Sequence, residues 1–238
     1  MQALASRIFE IVDDIAAASS VGQVWGAYLE ASRCVGLRYG IACYFPLASP
    51  DPFRIVAASC PDGWLEQYQS EGLSEGCMIY DRARTSEASF NWRMSEWDES
   101  ALTPVQHKWY AHNQRYGMVG GLAILHQTRG ADMMIVLAGL DGLIDEHDRK
   151  VLEFAGRDAL LRFRDLGIAD PVIPKLSERE RECLQWIAAG KTDSEIGSIL
   201  DLSEKTVNEY VVRAKAKCGV STRAQAIVMA VRLGIIPR

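Results

Sequence analysis

Three helix-start signals crowd the last third of this 238-residue chain, too closely spaced for anything but small helices packed on one another. Ser177 stands three residues before Glu180, a capping box in which each side chain satisfies a free backbone N–H of the other, and Gly190 supplies the left-handed position that closes this helix. Thr192 with Glu195 makes a second box and opens a short helix whose Ile196, Ile199 and Leu200 share one face, ending at Asp201 and Leu202. Ser203 is placed to cap a third helix, along which Val207, Val211 and Ala214 point inward while Lys205, Asn208, Glu209, Val212 and Arg213 point away. Ser221 starts a fourth, with Ala226, Val228, Met229, Val231 and Leu233 as packing or dimer residues. The pattern reads as a helix-turn-helix whose outward face enters a DNA major groove. Thr192, Lys205, Thr206, Asn208, Glu209, Val212 and Arg213 are its candidate DNA-binding residues, with Lys215, Lys217 and Arg223 set to reach phosphates. A small helical bundle with mixed surface charge is the plainer reading of the same capping boxes.

Charge supports the division of labour. The chain carries a net charge of −5, but from Pro171 onward 11 Lys and Arg face 8 Asp and Glu, whereas the part before it has 15 against 23. A modestly basic end on an acidic front part suits a reader whose DNA affinity comes from dimerisation as much as from charge. No stretch approaches the roughly eighteen uninterrupted apolar residues of a membrane span, and no basic start followed by an apolar run marks an export signal, so a cytoplasmic protein without membrane contact is expected. The six cysteines form no Cys-x-x-Cys pair and the four histidines have no metal-ligand spacing, so reduced thiols and no metal or other cofactor are expected.

Residues 167–174, with two prolines and a glycine, form the one clear linker, dividing a front domain at 1–166 from a helical domain at 175–238. Before the linker, a helix over 145–166 presents a broad apolar stripe of Val151, Leu152, Phe154, Ala155, Leu160, Leu161 and Phe163. The front part opens with helical patterns at 3–17 and 21–35. Short apolar runs at 40–45, 53–58, 121–126 and 133–138 read as strands, with helical stretches at 63–69, 78–83 and 104–116 between them. The expected fold class is α+β: an α/β/α sandwich sensor domain on a largely antiparallel sheet, followed by a small all-α four-helix domain.

Leu176, Arg179, Glu180, Leu184, Gly190, Lys191, Thr192, Glu195, Ile196, Ser203, Thr206, Val207, Lys217, Gly219 and Val220 stand, without gaps, in the order of the GerE-type helix-turn-helix. In this the chain resembles LuxR-family quorum-sensing transcription factors. The front part is similar to their autoinducer-binding domain, which implies an acyl homoserine lactone or related small apolar ligand enclosed between sheet and helices. On that resemblance Trp64 donates to the ligand head group, Tyr68 helps bind the acyl amide, and Trp92 and Gly121 shape the cavity. The family's Asp-Pro, whose Asp accepts the ligand amide N–H, is replaced by Cys77 and Met78; Leu137 stands where many members have Ser or Thr, and Cys60 where some have Tyr. A thiol is a weak acceptor, so loss of the charge-assisted bond and an unpaired amide together remove on the order of two to four decades of lactone affinity.

The resemblance implies a homodimer on a palindromic operator, controlled by ligand. Other readings remain open at this stage. Trp64, Tyr68 and Trp92 also suit a plain aromatic core, and Cys77 a small buried hydrophobe or a redox sensor. The protein's own side chains would fill the pocket in a ligand-independent regulator. Glu209 on the outward face is compatible with an antagonist acting by mixed dimerisation. No phosphate loop or catalytic constellation points to an enzyme.

Overall fold

The computed structural model describes residues 3–46, 54–127, 131–139, 144–168 and 174–237. The chain forms two compact units: Met1–Tyr44, Phe53–Gln127 and Met133–Ala169 make the first, and Asp170–Arg238 is the continuous part of the second.

In the first unit, β1 (Tyr39–Pro46), β2 (Arg54–Ser59), β3 (Phe90–Arg93), β4 (Gly120–Gln127) and β5 (Ala131–Gly139) form a sheet in the order β2-β1-β5-β4-β3. β1 and β2 pair antiparallel with Gly40 opposite Ser59 and a register shift at Ala42/Cys43; β3 and β4 pair antiparallel with Trp92 opposite Gly121. Its helices are α1 (Ala3–Ser6), α2 (Ile8–Ala17), α3 (Val21–Arg33), α4 (Trp64–Ser70), α5 (Met78–Ala83), α6 (Pro104–Arg115) and α7 (Glu146–Asp165). α2, α3 and α7 pack on one another, and α7 also on β4. A second group joins α4, α6 and the 3-10 turn Leu73–Gly76, with α5 against β4.

Strand alternation separates the two groups. Trp25 of α3 donates its indole N–H to Ser59 Oγ at 3.1 Å, and a Cβ on Gly40 would meet the same Trp25 ring, so Ser59, Gly40 and Ala42 face α3. Cys60 and Cys43, one residue on, face the other way. Buried Tyr28 holds α3 to α7 by donating to the Leu152 carbonyl at 3.2 Å. Gly156 lets α7 approach, since a Cβ there would lie 2.8 Å from Ile124 Cδ1 and 2.9 Å from Tyr28 Oη.

The second unit has α8 (Glu178–Ala188), α9 (Asp193–Leu200), α10 (Glu204–Cys218) and α11 (Arg223–Arg232). Leu184, Ala214, Ala226, Ala230 and Ile236 form one core cluster; Cys183, Ile196, Val207 and Val211 form another. The capping boxes at Ser177/Glu180 and Thr192/Glu195 are both closed. Asp201, with φ of 56°, takes the left-handed position that turns α9 into α10, a conformation Asp tolerates better than most residues.

Several expectations needed correction. The four-residue β3 was not predicted, because Phe90-Asn-Trp-Arg93 is too short to show alternation against its flanks. The first helix breaks at Arg7. Phe154 leaves the α7 stripe and is exposed, since Leu152, Ala155, Ala159, Leu160 and Phe163 already fill the buried face. Ile199 is exposed on α9, whose buried residues are Ile196 and Gly197. Thr222, boxed with Gln225, and not Ser221, caps α11; Val228 points outward while Ala226 and Leu233 are buried. Phe53, expected to begin β2, and residues 169–173 of the linker lie outside the described residues.

Gly121 carries a testable constraint, because a Cβ there would run into the Leu137 carbonyl, a backbone atom that cannot swing aside. Gly121→Ala is expected to destabilise the first unit by about 3 kcal/mol, at the upper end of overpacking costs, read as a lowered midpoint in thermal unfolding of the full chain.

Candidate ligand pocket and nucleic-acid interface

Gly63, with φ of 78°, ends the turn after β2 and starts α4, on which Trp64 and Tyr68 are one turn apart and therefore neighbours. Both are buried, and their rings stack at 4.6 Å between centroids. The His112 ring of α6 joins the cluster, 5.1 Å from Trp64 and 6.3 Å from Tyr68, and its Nε2 lies 3.1 Å from the Trp64 carbonyl. The Trp64 indole N–H is buried and has no hydrogen-bond partner.

Cys77 is the N-cap residue of α5 and Met78, fully packed, its first residue. Its thiol sits beside the Tyr68 hydroxyl, close enough for a side-chain hydrogen bond to influence both groups. Burial pushes the Cys77 thiol up to about 11 despite the opposing N–H groups of Tyr80 and Ile79, and pushes Cys60 up to about 12. Burial also lifts Cys43 and Tyr68 well above their ordinary ranges, with neighbouring thiols adding to the effect. Cys43, Cys60 and Cys77 therefore surround Tyr68 as protonated thiols, which are weak donors, poor acceptors and poor nucleophiles. Among the described residues no His, Cys, Asp or Glu cluster could hold a metal ion.

The other sequence-predicted pocket residues serve the wall. Trp92 is buried on β3 and donates its indole N–H to the Leu137 carbonyl at 3.2 Å. Gly121, opposite Trp92, gives that carbonyl its space. The Leu137 side chain turns toward α3, where its Cδ2 would lie 3.0 Å from a Cβ on Gly40 and beside Trp25, so a residue expected at the ligand packs on the other face of the sheet. Two residues were missed. Cys43 was legible only once its strand face was known. His112 lay on the apolar stripe of α6 with Trp109 and Tyr116, a helical spacing present in the sequence.

In the second unit, Ser203 caps α10 by accepting the Thr206 N–H at 3.1 Å. Lys205, Asn208, Glu209, Val212 and Arg213 are exposed on one side of α10, while Val207, Val211 and Ala214 are buried on the other. Arg213 pairs with Glu209 at 3.7 Å and lies 4.8 Å over the Tyr210 ring. Thr192 and Thr206 use their hydroxyls in the caps of α9 and α10. The remaining cations are tethered: Lys215 reaches the Ser221 carbonyl at 3.4 Å, Lys217 pairs with buried Glu180 at 2.7 Å, and Arg223 with Asp193 at 2.5 Å.

A mixed α/β sheet unit and a capped helix-turn-helix with a polar outer face define the class of two-unit regulators that join a small-molecule-binding fold to a DNA-binding one. Residues 20–159 match the family of autoinducer binding domains, and residues 174–230 the bacterial regulatory proteins of the luxR family. The chain is 30% identical over 215 residues to the transcriptional activator protein SolR of Ralstonia nicotianae, covering 84% of this chain and 87% of that protein. It is 30% identical over 187 residues to the HTH-type quorum sensing-dependent transcriptional regulator RpaR of Rhodopseudomonas palustris, covering 78% and 76%. Its fold is that of Escherichia coli SdiA, with a TM-score of 0.70 at 17% identity over 98% of this chain and 99% of that one; SdiA is also known in complex with octanoyl-rac-glycerol. The chain belongs to the LuxR family: it is a LuxR-type quorum-sensing transcriptional regulator with an autoinducer-binding domain and a helix-turn-helix DNA-binding domain, and it is not an enzyme. Among the described residues no helix is long and apolar enough to cross a membrane.

The Glu180–Lys217 pair gives a stability test of the DNA-binding domain. Burial pushes the Glu180 carboxyl up, but the Lys217 ammonium and the Ser177 N–H outweigh it and hold the group below its usual range. A depressed folded value means that the pair stabilises above the unfolded carboxylate pKa of about 4.3 and that this is lost as pH falls through the lower folded value. Lys217→Met leaves buried Glu180 without its cation and is expected to cost about 1–2 kcal/mol in urea unfolding near pH 7, a modest figure because Lys217 is half exposed. Adding Glu180→Gln should return part of that loss and flatten the acid limb.

Proposed function

We propose that the chain acts as a homodimer that binds a palindromic DNA operator and is controlled by a small, mostly apolar molecule. Residues 1–166 serve ligand sensing and dimerisation, 167–174 the linker and 175–238 DNA reading. The ligand meets Trp64, Tyr68, Cys60, Cys77 and Met78, together with Cys43, against a wall held by Trp92, Gly121 and the backbone of Leu137. Bases are read by Lys205, Asn208, Glu209, Val212 and Arg213, and phosphates by Thr192, Thr206 and Lys215. Lys217 and Arg223 approach the backbone while keeping their intramolecular partners. The protein works in the cytoplasm, where its six free thiols stay reduced.

The observation that carries ligand control is the buried Trp64 indole N–H with no acceptor. A buried unpaired donor costs about 1–3 kcal/mol, which a ligand acceptor removes. A pocket filled by the protein's own side chains would have been free to pair it, so this observation favours a ligand over the self-filled alternative. A ligand that completes the core stabilises the folded, DNA-competent dimer by mass action. The Glu209–Arg213 pair balances the carboxylate on the outward face of α10, which favours DNA binding over a purely antagonistic role.

The head group need not be a lactone. Where the family's carboxylate accepts an amide N–H, this pocket offers the protonated thiol of Cys77. The fold's accommodation of octanoyl-rac-glycerol in SdiA supports a neutral amphiphile.

Native mass spectrometry of the full chain expressed without added autoinducer, followed by organic extraction, tests this reading. A dimer carrying an extractable small molecule is expected; a clean, folded apo dimer that shifts operator DNA unaided would remove ligand control. In calorimetry, Cys77→Asp is expected to tighten N-octanoyl homoserine lactone binding by roughly 10–100-fold by restoring a charge-assisted acceptor.

A further inference from the structure

Several buried polar groups of the first unit have partners. Ser32 gives its hydroxyl to the Leu29 and Leu37 carbonyls, Ser89 Oγ accepts the Leu125 N–H, and Asn113 Nδ2 donates to the Trp109 carbonyl. Five buried side-chain atoms among the described residues have no partner: Trp64 Nε1, Asn91 Oδ1, Arg93 Nε, His112 Nδ1 and Asp148 Oδ1. Asn91 and Arg93 alternate with Trp92 on β3 and so face the opposite side from it, and Asp148 belongs to α7. Trp64 Nε1 and His112 Nδ1 remain together in the α4–α6 layer, on rings whose centroids are 5.1 Å apart.

The chemistry of that pair is determined. A carbonyl only accepts, so the 3.1 Å contact between His112 Nε2 and the Trp64 carbonyl places the imidazole proton on Nε2. Burial holds His112 below its usual pKa, which keeps the ring neutral near pH 7. Its Nδ1 is therefore a lone-pair acceptor, beside an indole that can only donate. The nearby thiols cannot match it, being protonated and weak.

We propose that His112 supplies the acceptor this pocket lacks at Cys77, so that the ligand's polar end must carry a hydrogen-bond donor for His112 Nδ1 as well as an acceptor for Trp64 Nε1, as a neutral hydroxylated acyl compound does. The inference rests on the ligand-sensing reading above. A head group that carries both a donor and an acceptor answers both nitrogens. A head group that only accepts leaves Nδ1 buried and unpaired; one that is charged meets no counter-ion within the Trp64–His112 pair.

Two probes with the same acyl chain separate the cases: octanoyl-rac-glycerol, which donates and accepts, and methyl octanoate, which only accepts. In calorimetry on the full chain the glycerol ester is expected to bind roughly tenfold or more tighter. His112→Phe keeps a ring in the aromatic stack and should bring the two probes to near parity. As a second readout that needs no variant, the Nδ1 resonance of 15N-histidine-labelled wild-type protein should shift on adding octanoyl-rac-glycerol and not on adding methyl octanoate. Equal binding of the two probes by the wild type, or equal losses for both in His112→Phe with an unmoved Nδ1 resonance, overturns the role of His112 and leaves ligand sensing intact. Failure of both probes to bind overturns both.

Discussion

A polar atom taken out of water must find a partner, and the first unit is arranged around where that requirement is met and where it is not. On the α3–α7 side of the sheet, Trp25 finds Ser59 and Tyr28 finds the Leu152 carbonyl. Each hydrogen bond also fixes the approach of a helix, because an indole or phenol that donates to one atom allows few other positions for its ring. On the α4–α6 side, Trp92 finds the Leu137 carbonyl only because Gly121 leaves that carbonyl room, whereas Trp64 and His112 are packed just as tightly and keep unpaired nitrogens. Both groups are lined by the same aromatic residue types, and they differ in whether the buried nitrogens are paired.

The DNA-binding domain follows the same rule at its helix ends. Ser177, Thr192, Ser203 and Thr222 each accept a backbone N–H in the first turn of their helix, so all four short helices begin with a side-chain cap. Glu180 serves twice, closing the first capping box and holding Lys217 of α10. Capping and interhelical charge thus lock α8 to α10, while the exposed side of α10 is left to Lys205, Asn208, Glu209, Val212 and Arg213. Positive charge is distributed by role: Lys217 and Arg223 hold helices together, and Lys205 and Arg213 belong to the outward face.

Much of this was legible residue by residue. The inward and outward sides of α10 could be read from spacing alone, because a helix's 3.6-residue period assigns every side chain a face once the cap is placed. Four strands were recognised from their apolar runs, while β3 was not, since its identity comes from pairing Trp92 with Gly121 across the chain. Trp64, Tyr68 and Cys77 were expected at the ligand from family spacing, and the structure brings the Tyr68 ring onto Trp64 and the Cys77 thiol beside Tyr68. Leu137 was placed by the same counting, yet its side chain belongs to the other face of the sheet. His112 escaped notice because a histidine on an apolar helical stripe looks the same whether or not its second nitrogen is paired.

The sequence by itself determined the two-domain organisation, the caps at Ser177, Thr192 and Ser203, and the inward and outward sides of α10. These follow from local rules, in which neighbours within about one helical turn decide the outcome. Only the tertiary structure decided that Cys43, Cys60 and Cys77 gather around Tyr68, that Leu137 turns toward Trp25, and that Trp64 and His112 stand together with a donor and an acceptor free. Those relations join residues dozens of positions apart, and whether a buried atom is satisfied depends on which distant backbone group packing brings within hydrogen-bond reach.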